Sequence, residues 1–563
     1  MRSPRRALMA LCPFSLALAA SACTRPASSP ASAGRLPRTR AELTGYRETS
    51  RYTDVVAFLD SLRALGAPVT LGVMGKSTEG RDIPYVVASR PLVATPDAAR
   101  RLGRPVVYVQ ANIHAGEVEG KEALLALLRD LVTAPAPNVL DSIVLVAVPI
   151  YNADGNERLA PQSVNRTEQN GPELVGERAN GQRLDLNRDY VKAEAPETRA
   201  SLAMFAAWDP ELFVDLHTTD GSFHGYALTY SPSLNPAAPL AAWTRDSVLP
   251  ELRRRMRERH AFETFDYGNF SLEYGADVNA DTVKQGWYSY DHRPRFGTNY
   301  YGLRGRVAIL SEAFSHDPFE RRVRSTYAYV SEILSLAAER GTRLRELARE
   351  ADALGAGHLS RDARVAREVP VRSRLTTAPY VGEVIAEDLA RVADTTALTQ
   401  PGVPRGMRRT GHYRSQRMPV FDRFEPQLVV ATPPAYALDA GQEEAVRLLR
   451  LHGVTVERTT SPTTTEADVF TVDSVVVAER PFQGHREVTL RGRWREERRT
   501  LPVGSYVVRG DQPLGALATY LLEPESDDGL VTWNVFDGAL RRGGEFPVTR
   551  VRGALAGTQR VER

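Results

Sequence analysis

Cysteine is almost absent. The 563 residues hold two, Cys12 and Cys23, both within the first 23 positions. A chain that loses that leader has no disulfide and no thiolate metal site, so any metal must be held by His, Asp or Glu. Beyond the leader no apolar run approaches the roughly 20 residues needed to span a bilayer. Excess charge is lacking too: 72 basic against 69 acidic residues leave a net charge of +3. That excludes nucleic acid as the main partner, which would call for a strong basic excess or stripe. Lysine is scarce, and nearly all the basic residues are Arg. No GxGxxG or phosphate-loop pattern occurs, and no Ser sits in a GxSxG nucleophile elbow.

What is present begins with an export leader. "MRSPRRALMALCPFSLALAASAC" has a basic start, an apolar stretch and a small-residue exit, the layout of a signal peptide over residues 1–23. Cys23 follows Ala20, Ser21 and Ala22, which resembles a bacterial lipoprotein signal, although the position of Ala20 usually carries a larger aliphatic residue. Acylation at Cys23 and simple cleavage after Ala22 both fit. The expected location is outside the inner membrane: periplasmic, lipid-anchored to the envelope, or secreted. Any membrane contact would run through a lipid anchor at Cys23. Residues 24–42, rich in Ala, Ser, Pro and Arg, read as a flexible tether.

Hydrophobic residues make up 42% and charged residues 25%, an ordinary globular balance with room for more than one domain. A helical pattern covers roughly Thr53 to Leu65. "VTLGVMGKSTEGRDIPYVVAS" reads as two strands joined by a polar turn. "PVVYVQAN", "SIVLVAVPI", "LFVDLH" and "RVAILSE" are short apolar strands, and "VEGKEALLALLRDLV" has helical spacing. Strands alternating with helices predict an α/β domain over residues 43–350, with a mixed sheet covered on both faces. A long helical stretch, about Pro318 to Ala353, closes it. Many short β-like runs follow over residues 370–563, interrupted by one helix that Asp439 can cap, with Gln442 at its third position and Gly453 past its end. This predicts a smaller, β-rich α+β domain. Within it, Gln512 and Pro513 can open a helix through Leu522, with Trp533 and Phe536 packing behind. The acidic "EPESDDG" reads as a solvated turn rather than a cation loop.

The chemistry concentrates at the ends of strands, where open α/β sheets place their sites. "HAGE" puts His114 and Glu117 three apart just after "VVYVQAN", and Gly116 permits the sharp turn that would let both face one point. A catalytic zinc held by two His and one Glu needs another imidazole and leaves a fourth position for water. His217, ending "LFVDLH", offers it. Alone, either fragment is an unremarkable polar strand end; together they favour a metal site. "RLDLNRDY" gathers Asp185, Asn187 and Arg188 in an otherwise apolar turn. Glu312 ends the buried run "VAILSE", where an uncompensated carboxylate would cost several kcal/mol. Glu119 and Glu122 are expected on the solvated side of the helix that follows "HAGE". His224, His260, His292 and His316 read as surface or hydrogen-bonded histidines.

The order of the motifs "HAGE", "NADGNER", "RLDLNRDY", "VDLH" and "AILSEAF" resembles the zinc metallocarboxypeptidases, the carboxypeptidase A-like family, across roughly residues 45 to 345. The resemblance implies one zinc ion bound by His114, Glu117 and His217, with Asp185 accepting the hydrogen bond of His114's other ring nitrogen. Glu312 matches the catalytic base, and Asn187 and Arg188 the pair that grips the terminal carboxylate of a peptide. The family's polarising arginine is sought between "NADGNER" and "LDLNRD": Arg166 is the choice, Arg178 the second. A tyrosine over the substrate should precede the base by about twenty residues. Tyr288, Tyr290, Tyr300 and Tyr301 are available, and spacing favours Tyr290. The implied activity is hydrolysis of the last peptide bond of peptides with a free C-terminal carboxylate. Two alternatives stay open: an amidase acting on peptidoglycan stem peptides or isopeptide bonds, and a non-catalytic peptide-binding lipoprotein.

Overall fold

The computed structural model describes residues 36–270, 286–356, 367–553 and 555–561. The expected leader with Cys23, and the tether as far as residue 35, lie outside the described residues. The end of the tether is ordered structure rather than free linker. Thr39 caps a short helix, Arg40–Thr44, through a reciprocal capping box with Glu42, and Glu42 accepts hydrogen bonds from Arg129.

Eight strands form the central sheet: β1 Val69–Lys76, β2 Asp82–Ala88, β3 Val106–Ala111, β4 Val144–Val148, β5 Leu212–Thr218, β6 Leu228–Pro232, β7 Thr264–Asp266 and β8 Val307–Ala313. Their spatial order is β1-β2-β4-β3-β5-β8-β6-β7. The centre, from β4 through β3 and β5 to β8, is parallel, whereas β1, β2 and β6 run antiparallel to their inner neighbours. Parallel strands need cover on both faces, which explains why these four runs are almost wholly apolar.

Alternation along the strands sorts their side chains between two cores. Val107, Val109, Leu212, Val214 and Leu216 pack with Leu124, Leu125 and Leu128 of the helix Glu119–Thr133. Tyr108 and Phe213 face the other way, toward Leu202 and Phe205 of the helix Pro196–Trp208. The same alternation puts Asp215 and His217 on the Phe213 face of β5. The long helical stretch is two helices, Phe319–Glu339 and Gly341–Gly355.

From Pro37 onward the chain forms one compact unit. The β-rich C-terminal part holds a seven-stranded sheet. Its apolar residues, among them Val472, Leu490, Leu517 and Trp533, share a core with Tyr108, Phe205 and Phe213. Trp287–Tyr288 also pairs with the strand Met407–Phe421. Its helix begins later than expected, at Glu443–Leu451, with Gln442 rather than Asp439 at the cap position. Asp439 only offers its carbonyl to the Gln442 N–H. The helix 515–522 starts just after Pro513 as predicted.

The acidic "EPESDDG" segment is neither a solvated turn nor a cation loop. Asp528 and Glu523 are buried, because cations of the fold reach them: Arg295 bonds Asp528, His292 meets Asp527, and Arg550 pairs with Glu523. Glu119 and Glu122 are likewise buried instead of solvated. Thr49 and Ser50 donate to Glu122, while Thr218 and Arg322 satisfy Glu119.

Buried histidine makes the shared core sensitive to acid. His452 accepts from the Tyr300 hydroxyl at Nδ1 (2.8 Å) and donates from Nε2 to the Val191 carbonyl (2.9 Å). Burial pushes its pKa down to about 4; His224 and His316 are lowered in the same way, to about 3 and about 4. Between pH 6.5 and 4 the unfolded chain takes up protons that the folded chain refuses, so stability is full above 6.5 and declines as pH falls through this window. Each such group steepens the decline by about 1.4 kcal/mol per pH unit. In urea titrations at pH 7 and pH 5, His452→Gln should lose less stability on acidification than the parent; equal losses would refute this account.

Candidate active site

Three strand ends and one turn build the site. After β3 the chain reverses at Asn112, which carries the left-handed φ of 64°. The turn closes with the Glu117 N–H on the His114 carbonyl at 3.0 Å. The positive φ therefore belongs to Asn112, not to Gly116. Gly116 is required for a different reason: a β-carbon there would lie 2.7 Å from Arg166 Cγ and 2.9 Å from the Gly176 carbonyl oxygen. The "NADGNER" motif supports this loop from behind, with the Asn152 side chain donating to the Ile113 carbonyl.

The chain brings His114, Glu117 and His217 together, all buried. His114 Nδ1 lies 3.0 Å from Glu117 Oε1, His217 Nδ1 lies 2.9 Å from Glu117 Oε2, and the two Nδ1 atoms are 3.2 Å apart. Tetrahedral zinc with bonds near 2.0–2.1 Å separates its ligand atoms by about 3.3 Å, so the triangle has the size of one coordination face. The outer ring nitrogens explain how it is primed. His114 Nε2 is 3.0 Å from Asp185 Oδ1, and His217 Nε2 is 3.0 Å from Asp215 Oδ2. With a metal bound, Asp185 would accept the ring N–H of His114 at Nε2 and leave Nδ1 free to face inward, the arrangement that raises ligand basicity at metal sites; Asp215 faces His217 Nε2 at ion-pair distance. The residues fit a zinc ion. Burial pushes the Glu117 carboxyl up, but His114 and Arg166 beside it outweigh this and hold it well below the usual carboxylate range. Asp185 is held low in the same way, burial being outweighed by Arg178, Arg188 and His114.

Glu312 stands beside His217, paired with it in the register of the parallel strands β8 and β5. Both therefore project from the same face. Glu312, Tyr290, Asn187, Arg188 and Arg178 line one cavity with the triangle. Arg188 stacks 4.0 Å over the Phe296 ring, and the Asn187 side chain accepts from the Gly297 N–H at 2.8 Å.

Arg166 is not on that wall. It is buried behind Glu117, 3.2 Å from its Oε1, and donates to the Thr218 and Thr219 carbonyls. Arg178, the second choice in the sequence, is the arginine that lines the cavity, bonded to Asp185 at 3.0 Å and 3.3 Å from Glu117. Tyr288, Tyr300 and Tyr301 are buried packing residues, whereas Tyr290 meets the cavity beside Tyr267 and Phe296. Asp215 escaped the sequence reading although a signal existed: it precedes His217 by two in a strand, which puts both on one face. Tyr267 carried no such signal.

A buried triangle of two imidazoles and a carboxylate at strand ends, with a second carboxylate alongside, defines a metallohydrolase of α/β architecture. Residues 55–295 match the zinc carboxypeptidase family Peptidase_M14, and this stretch carries a peptidase domain of the zinc carboxypeptidase type. Similarity to whole proteins extends further. Carboxypeptidase 2 of Trichophyton tonsurans is 23% identical over 503 residues, 84% of this chain and 81% of the relative. Carboxypeptidase 2 of Trichophyton rubrum is 22% identical over 504 residues, 85% of this chain and 82% of the relative. Among solved structures, carboxypeptidase A of Helicoverpa armigera overlaps 53% of this chain and 75% of its own, at 18% identity and a TM-score of 0.38. The metallo-carboxypeptidase of Burkholderia cenocepacia overlaps 51% and 69%, at 18% identity and a TM-score of 0.37.

Proposed function

We propose that the protein is a zinc carboxypeptidase that removes the last residue of peptides ending in a free carboxylate, with one zinc ion held by His114, Glu117 and His217. The observation that carries this reading is Glu312, set beside His217 on the wall of the cavity that also holds the triangle and Arg178, Asn187 and Arg188. Zinc, when bound there, supplies Lewis acidity that lowers the pKa of a coordinated water towards about 7.

The remaining steps belong to side chains. Glu312 takes the proton of the attacking water and delivers it to the leaving amine. Arg188, with Asn187, grips the terminal carboxylate; a guanidinium matches it with two parallel N–H donors. Arg178 stabilises the oxyanion, since it lines the cavity, whereas Arg166 does not and points its guanidinium at backbone carbonyls, Glu117 and Asp220. Tyr290 covers the substrate; burial and the nearby Glu312 raise its phenol pKa, so it acts as a neutral hydrogen-bonding group. Asp185 and Asp215 orient the two imidazoles. Export through the leader at residues 1–23 belongs to the same proposal.

A panel of N-blocked dipeptides tests the reading. Free-acid dipeptides should be cleaved, the corresponding C-terminal amides at least about tenfold more slowly, in keeping with a lost charge-assisted hydrogen bond worth 1.5–3 kcal/mol. A chelator should abolish cleavage and zinc restore it. Equal cleavage of acids and amides would remove the carboxylate grip from the account, and a preference for stem peptides or isopeptide bonds would transfer the enzyme to amidase chemistry.

A further inference from the structure

The turn that carries Asp185 donates a hydrogen bond to a distant part of the chain. Between the strands Thr463–Val477 and Val488–Leu501 of the C-terminal sheet, the connection narrows to a tight turn. Phe482 and His485 exchange backbone hydrogen bonds of 2.7 and 3.0 Å. The two residues between them, Gln483 and Gly484, have φ of 50° and 83°. Two central residues of positive φ make a type I′ turn, whose first position favours Asn, Asp or Gly. Glutamine carries a β-carbon that resists this conformation and a side chain longer than the turn needs.

The extra length has a use. Gln483 Oε1 accepts the backbone N–H of Asp185 at 2.9 Å. Asp185 is the residue whose carboxylate meets His114 Nε2 on one oxygen and Arg178 on the other, and whose side chain caps the turn carrying Asn187. The turn is held near this contact by anchors on the stretch that follows it. His485 lies 2.9 Å from Glu194 and 2.9 Å from the Asn534 side-chain oxygen, and Glu487 binds Arg295 at 2.6 Å.

We propose that Gln483 is a positioning residue of the metal centre. By holding the Asp185 backbone it sets the angle at which Asp185 meets His114 and Arg178, so the C-terminal β-rich region completes the site instead of only covering it. The proposal rests on the reading that His114, Glu117 and His217 hold zinc.

Full-length Gln483→Gly and Gln483→Asn suit the turn better than the native residue, but they remove or shorten the acceptor. Gln483→Glu keeps an acceptor of the same reach. Three quantities separate positioning from mere stability: the zinc dissociation constant by chelator competition, the unfolding temperature of the metal-free protein, and kcat against KM on a blocked dipeptide. The Gly and Asn variants should unfold at the native temperature or above, bind zinc about tenfold more weakly, the lower end of what an outer partner of a metal ligand contributes, and lose kcat with KM little changed. The Glu variant should stay within about threefold of the parent, less than the loss expected of a broken outer contact. Unchanged zinc affinity in the Gly variant, or an equal loss in the Glu variant, would overturn the positioning role while leaving the zinc reading intact. Failure of the parent protein to bind zinc would overturn both.

Discussion

Glu312→Gln should lower kcat by about 10²–10⁴, the range a positioned general base contributes, and leave zinc binding and stability as they are. Glutamine keeps the size of the side chain and loses only the ability to take a proton. Glu312 lies outside the ligand triangle, whose three edges are closed by His114, Glu117 and His217, so metal content should not follow activity down. Glu117→Gln should behave in the opposite way. It weakens the third ligand and leaves Arg166 facing an amide in place of the carboxylate now 3.2 Å away, so zinc and turnover disappear together. Single-turnover rates on a blocked dipeptide, paired with elemental analysis of each variant, separate the two. Substantial turnover in Glu312→Gln would remove it as the base. Lost zinc in that variant would mean that the carboxylate serves the metal instead.

His114, His217 and Glu312 were legible because each sits at or just past the end of an apolar run, and Glu117 because it follows His114 by three residues. The runs that became β3, β5 and β8 are almost wholly hydrophobic, and the polar residue that ends each one stands out. The family match stops at residue 295, before Glu312; what joins Glu312 to the site is the strand register with His217. Pairing between strands separated by almost a hundred residues is not written locally. The choice between Arg166 and Arg178 depended on the same kind of information. Both lie in irregular segments, and only the fold decides which guanidinium is consumed by backbone carbonyls. Glu119 and Glu122 misled for a related reason. Acidic residues in a first helical turn normally face water, but here Thr49, Ser50, Thr218 and Arg322 arrive from elsewhere to satisfy them. Burial of charge is a property of partners, and partners distant in sequence leave no periodicity.

The same consideration yields the largest expected loss of stability, at Arg295. Its Nε donates to Asp528 Oδ1 at 2.9 Å and its backbone N–H to Oδ2 at 2.7 Å. The guanidinium also bonds Glu487 at 2.6 Å and lies over the Trp533 ring at 4.6 Å. Asp528 is fully buried, and the Trp533 indole N–H is its further donor at 3.0 Å. Arg295→Ala leaves that carboxylate in the core with its cation gone, which should cost about 3–5 kcal/mol. Lysine would not rescue it, because a single ammonium cannot serve Asp528 and Glu487 while stacking on an indole. Adding Asp528→Asn to Arg295→Ala should recover part of the loss by removing the stranded charge, and a double-mutant cycle in urea should give a coupling of at least about 2 kcal/mol. Additive losses would mean that the pair is solvated and not a buried tie. Function should follow stability here. Arg295 lies between Tyr290 and Thr298 on the segment that lines the cavity, and its partner Glu487 belongs to the connection that presents Gln483 to Asp185. Cutting the tie should therefore loosen the substrate wall and the support of His114 together, lowering zinc affinity even in the fraction of molecules that stays folded.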